Sequence, residues 1–122
     1  MNDDIIERLL VADSAHFRTW MQNPHWYPEG KPCVNISFIR DDPSLVGSIC
    51  WWMLSQLPKG TILCWEDKQN KFVCYVRTKE GRDVNAYGVR GFGETREDAL
   101  IDAYIKWKQS QAFEAKNEGE TK

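Results

Sequence analysis

The sequence predicts an α+β domain, an antiparallel sheet of about four strands packed by an N-terminal, a middle and a C-terminal helix. Apolar residues recur at helical spacing in three separate stretches, residues 4–21, 43–57 and 96–112. Between the last two, about 30 residues read as a meander of alternating strands broken by turn-forming clusters. Capping residues stand where the middle and last helices would begin.

In the first stretch Ile5, Ile6, Leu9, Leu10, Phe17, Trp20 and Met21 gather on one side of a helical wheel. Asp13 and His16 fall three apart in the apolar half, suiting a hydrogen-bonded acid–imidazole pair; alternatively Asp13 or Ser14 caps a second short helix after a break. Then comes NPHWYPEGKP, residues 23–32, with three prolines. Each proline lacks a donor and drives its predecessor to extended geometry, so the stretch is expected to be a loop, neither helix nor central strand. From Cys33, CVNISFIR alternates sides, with Val34, Ile36 and Phe38 on a greasy face.

The middle helix opens with Asp42 as N-cap and Pro43 at the first helical position, and it stops at Pro58 and Gly60. Leu45, Val46, Ile49, Met53 and Leu57 form its core stripe. Trp51 falls opposite, between Gly47 and Ser48 and Ser55, and no charged residue lies between Pro43 and Pro58. A solvated face normally carries Lys or Glu, so this one is expected to be sandwiched or packed against another chain, a homodimer being one form. At about 14 residues the helix is too short to span a bilayer.

In the meander, a turn at Asp67 to Asn70 sets Glu66 opposite Lys71, Trp65 opposite Phe72 and Leu63 opposite Cys74. A second turn, through residues 79–82, would set Val76 opposite Asn85, Cys74 opposite Tyr87 and Phe72 opposite Val89. Cys64 and Cys74 then face opposite ways. The glycines at 91 and 93 are expected to serve the strand-to-helix turn through positive φ. Thr95 caps the last helix, with Asp98 three residues on and Ala99, Leu100, Ala103, Tyr104 and Trp107 as its stripe, widened by Ile101 and Ile105. One domain is expected over 1–112, followed by a polar, disordered tail over 113–122.

Composition narrows function more than it names it. A net charge of −2 gives no long-range field for nucleic acid. The acidic start, MNDD, differs from the basic opening of a secretory signal, and the four cysteines lack paired spacing for zinc or redox chemistry, so a cytoplasmic protein with reduced thiols is expected. No phosphate loop, nucleophile elbow or metal-ligand spacing is found, and His16 and His25 are the only imidazoles for acid–base chemistry. A non-enzymatic protein without cofactor or metal is expected. R-G-F-G at Arg90–Gly93 copies half of an RNA-recognition octapeptide, then breaks off at Glu94 and Thr95. Arg77, Arg82 and Arg90 are the candidates for contacting a nucleotide or nucleic acid from the more polar sheet face.

Aromatic supply is the strongest signal. Six Trp, five Phe and four Tyr exceed what one core of this size readily seats. Trp20, Trp65 and Trp107 are expected in the core, joined by Trp52, and Tyr27 at its edge. That leaves Trp26 and Trp51 for contact, with His25, Tyr27, Ser48 and Ser55 beside them. The stretch from GTILCWEDKQNKFVCYVRT to GFGETREDALIDAYIKW resembles the meander-then-helix unit of small phage and prophage accessory proteins of the HicB-like, α-β-α sandwich kind, without the proline-containing hairpin signature of HicB. The resemblance implies a binding protein, for instance an inhibitor that occludes a host defence complex.

Overall fold

The computed structural model describes residues 1–37, 40–79 and 86–120, of which 113–120 by backbone alone. It is an α+β structure with three helices and two antiparallel sheets of three strands, where the sequence predicts one sheet of about four. The chain divides into two compact units, Met1–Gln56 and Leu57–Lys122, each holding one sheet.

The first unit begins with α1 (Asp3–Ala12), capped by Asn2, whose side chain accepts from the Ile5 amide at 2.9 Å. Asp3 and Asp4 add negative charge to the first turn, where the helix dipole favours it. The helix stops well short of where its apolar spacing suggests, because Asp13 turns the chain. Its carbonyl accepts from the amides of His16 (3.2 Å) and Phe17 (2.9 Å), and its carboxylate takes the His16 ring. Residues 17–20 are therefore strand and not helix.

Three strands follow: β1 (Phe17–Trp20), β2 (Asn23–Trp26) and β3 (Val34–Asn35), in the order β1-β2-β3. The prolines of 23–32 point to a loop, yet β2 is the central strand. Trp20 pairs with Asn23 across a two-residue turn of Met21 and Gln22, both at positive φ (51° and 68°), as a type I′ hairpin requires. In that register the hydrogen-bonded pairs are Trp20 with Asn23 and Arg18 with His25, so Pro24 needs no donor toward β1. On the other side Pro24 only accepts, from the Ile36 amide at 3.1 Å. The period of two also reassigns the tryptophans. Trp26 shares the inner face with Phe17 and is buried, whereas Trp20 is turned to the other face and 55% exposed, not in the core.

Helix α2 (Pro43–Gln56) starts where expected: the Asp42 carboxylate accepts from the amides of Ser44 (2.8 Å) and Leu45 (3.2 Å). Leu45, Ile49, Cys50 and Met53 are buried.

The second unit is the meander of β4 (Ile62–Glu66), β5 (Lys71–Val76) and β6 (Val89–Gly93) with α3 (Arg96–Glu120) packed on it. The first hairpin keeps the predicted register, Glu66 opposite Lys71 through Leu63 opposite Cys74. Asn70 provides the left-handed residue of its turn, φ 53°. The second hairpin is displaced by four residues, with Val76 opposite Val89 and Cys74 opposite Gly91, so each side chain keeps its expected face. Asn85 and the turn residues 80–82 lie outside the described residues. Trp65 is 46% exposed, a correction to its core assignment, because it lies on the edge strand β4, while α3, on the same face of the sheet, sits mainly over the opposite edge strand β6.

Glycines 91 and 93 lie inside β6 and have no positive φ. They are glycines because α3 presses backbone against them: a Cβ on Gly91 would sit 2.2 Å from the Ala103 nitrogen, and one on Gly93 2.5 Å from the Ala99 nitrogen. Thr95 caps α3 as expected, accepting from the Asp98 amide at 3.1 Å. The helix continues to Glu120, past residue 112 where apolar spacing ends. Burial pushes the Cys74 thiol up to about 11, with Cys64 adding to the shift.

Candidate functional site

The outer face of α2 and the segment after β2 form a groove of about 670 Å³ in the first unit. Ser44, Gly47, Ser48, Trp51 and Ser55 line one wall, successive turns of one helix face. Trp26, Pro28, Glu29 and Lys31 line the other, while Trp52 and Pro43 also border it. Two stretches singled out separately in the sequence thus meet at one place.

The helix wall is apolar in behaviour despite its serines. The Ser48 hydroxyl donates to the Ser44 carbonyl at 2.8 Å, and Ser55 donates to the Trp52 carbonyl at 2.5 Å, so both protons are spent on the helix itself. Trp51 stands 76% exposed, and a Cβ on Gly47 would meet no atom within 4 Å. A large ring beside a smooth, uncharged surface suits close approach by another molecule.

The second wall is tied in place. Asp13, buried, receives the His16 ring nitrogen Nδ1 at 3.0 and 3.1 Å, and Nε2 lies 3.3 Å from the Glu29 carboxylate. The imidazole also packs against the Trp52 ring at 4.8 Å between centroids. Asp13 and His16 thus make the acid–imidazole pair, in a turn and not along a helix, and it anchors the groove-lining carboxylate of Glu29. The remaining His16 nitrogen faces a carboxylate, which gives the pair a positioning geometry. The sequence suggests the pair but not Glu29, thirteen residues away; only the hairpin brings it round.

Trp26 is 5% exposed, buried where a projecting ring is expected, although it still borders the groove. Its ring meets Trp52 edge-on at 5.9 Å, and among the described residues its Nε1 hydrogen has no acceptor. A buried donor without a partner costs about 1–3 kcal/mol. Tyr27 is half-buried with the Arg18 guanidinium 4.1 Å above its ring, a cation–π contact, and lies outside the groove lining. His25 is buried behind Trp20, its Nδ1 donating to the Asn23 carbonyl at 2.9 Å. It serves the turn. Of the six candidates, Trp26, Trp51, Ser48 and Ser55 line one groove; Tyr27 and His25 do not.

The arginine candidates are not assembled into a comparable site. Arg90 is exposed above the Tyr75 ring, whose hydroxyl donates to Glu66; that bond, with burial and the carboxylate's charge, raises the tyrosine pKa. Arg77 is half-buried, its Cδ 2.8 Å from where a Gly60 Cβ would stand, and its Nε donates to the Lys79 carbonyl. Arg82 lies outside the described residues. Among those residues no group of three or more His, Cys, Asp or Glu is placed to hold a metal, and no helix is long and apolar enough to cross a membrane. Comparison with protein-family models, curated proteins and solved structures finds no match.

Proposed function

We propose that the protein works by binding, not turnover, and that the groove between α2 and residues 26–31 is where a protein partner sits. One observation carries this reading: the Trp51 indole stands largely exposed on a helix face without charge, at the lip of a groove whose opposite wall is anchored through Asp13, His16 and Glu29. Exposed rings of this kind are where binding energy concentrates, and a fixed wall lowers the ordering cost on association. Occlusion of the partner's own surface is the mode of action that follows, and inhibition of a host defence complex by a phage-encoded protein is the biological form the sequence resemblance suggests. The nucleic-acid alternative has less behind it, since Arg77 is engaged within its own unit and Arg90 stands beside a Tyr75–Glu66 pair.

A random-peptide display library selected on the full chain tests the reading. Enriched peptides should bind the wild-type protein and lose about thirtyfold or more in affinity with Trp51→Ala, the scale of a hot-spot ring. A selection yielding only binders indifferent to Trp51→Ala would reject the groove as the site.

A further inference from the structure

The two edges of the second sheet are finished differently. At the β6 edge the Phe92 amide donates to the Asp102 carboxylate at 2.9 Å, and the Arg90 carbonyl accepts from the Lys106 ammonium at 3.2 Å. These two α3 side chains, themselves ion-paired at 2.9 Å, occupy outward backbone groups of that strand. They also fix the parity of the sheet. Arg90 and Phe92 turn their backbone polar groups away from β5, so Gly91 bonds to Cys74, while Val73 and Tyr75 bond on the other side to Cys64 and Ile62. The N–H and C=O groups of Leu63 and Trp65 are therefore left pointing outward from β4. Among the described residues nothing bonds to them.

The β4 edge also lacks the usual protections. Its sequence, ILCWE, holds neither Lys nor Pro, its register with β5 runs without a bulge, and Ile62 and Trp65 are each 46% exposed beside it. Helix α3 lies mainly over β6 and leaves room for a further strand. The strand that fits is β4 itself. Two antiparallel copies related by a two-fold axis at Cys64 set Leu63 of one opposite Trp65 of the other, so both outward residues of each copy meet outward residues and every free group is paired. Moving the register by one residue faces outward groups with inward ones; moving it by two carries one outward residue past the end of the strand. The side chains suit the same register. Trp65 and Leu63 form aromatic–aliphatic pairs on the α3 face, and the small Cys64 side chains meet at the axis, where the strands approach most closely. At the outer rungs Ile62 faces Glu66, which keeps its own Lys71 and Tyr75 contacts. Independently of the groove in the first unit, we propose that a second copy of this chain adds to β4 about a two-fold axis at Cys64, joining the two three-stranded sheets edge to edge.

Sedimentation equilibrium of the full chain tests this. The expected result is a monomer–dimer equilibrium with a dissociation constant on the order of 10–100 μM, as befits a short interface. Cys64→Glu and Cys64→Lys each set like charges against each other across the axis, and each alone should weaken the dimer at least about tenfold. An equimolar mixture of the two should restore it. Trp65→Lys, at an exposed position, should weaken it about tenfold and keeps the test decisive if a charge at Cys64 disturbs folding. On dilution of ¹⁵N-labelled protein, the Leu63 and Trp65 amide signals should move upfield while that of Cys64, bonded within its own sheet, stays nearly fixed. A chain still monomeric at about 1 mM overturns the inference. A dimer indifferent to Cys64→Glu or to Trp65→Lys, or a mixture of the two charged variants that stays monomeric, overturns it as well. A dimer dispersed by Trp51→Ala and not by Trp65→Lys would also overturn it and move self-association to the groove. Trp51-dependent library peptides test the groove separately, since Trp51 lies outside the β4 edge.

Discussion

Two hairpins, β1–β2 and β4–β5, are built on the same antiparallel ladder and hold their turns by different means. In β4–β5 the turn residues suit the backbone they form, since Asn70 takes the left-handed conformation and Glu66 faces Lys71 on the first rung. In β1–β2 the left-handed positions are filled by Met21 and Gln22, which gain nothing there, and a proline sits within the strand. Burial of Phe17 and Trp26 on the inner face must supply what local preference does not. A turn made of turn-forming residues announces its register; a turn held by its strands' burial leaves no mark in sequence.

The same contrast separates the glycines at the two helices. Gly91→Ala would drive a Cβ into the α3 backbone and should cost about 3 kcal/mol, read as a lower urea midpoint; a loss below about 1 kcal/mol would mean that α3 moves aside. Next in size, Asp13→Ala should cost about 2 kcal/mol by stranding the His16 ring, while Glu29→Ala, at the exposed end of that chain of contacts, stays within about 0.5 kcal/mol.

Replacing Met21 and Gln22 by Asn and Gly should stabilise the first unit by about 1 kcal/mol, since it relieves two left-handed side chains. No gain would show that the turn is not the weak point of that hairpin. Cys74 gives a pH test in the second unit. Its folded value is raised above the unfolded one, so the folded state holds the proton longer; stability should be full below about pH 9 and fall through about pH 11. Cys74→Ala should flatten that decline in urea titrations. Gly47→Ala should add about 0.5–1 kcal/mol through helix propensity, since its new Cβ points into open space.

How much was legible follows from where the determinants lie. Asp42 and Thr95 were readable as caps because a cap acts on amides two or three residues away. The β4–β5 register was readable from its turn and cross-strand pairs. The second hairpin's register was not, because the connection it needs is longer than the shortest turn its residues allow, and only the period-two parity survived. Helical spacing over 4–21 misled because a run of Ile, Leu, Phe and Trp satisfies a helix and then a strand in turn, and Asp13 decides between them by taking up His16 and Phe17. Once residues 17–20 became strand, Trp20 and Trp26 exchanged inside for outside. Of the groove, Trp51 with Gly47, Ser48 and Ser55 was visible as an uncharged helix face. Its second wall depended on the hairpin, and the unpaired Trp26 donor on three-dimensional packing alone.

Serine is ordinarily counted among residues that hold water at a surface, and hydropathy over α2 credits it so. With the Ser48 and Ser55 protons returned to the helix carbonyls, water finds acceptor oxygens at these two positions and a bare backbone at Gly47. Such a surface dries at lower cost than its composition implies. What a visitor gains on arrival is then partly the release of loosely held solvent, a gain that weakens on cooling and strengthens in sulfate.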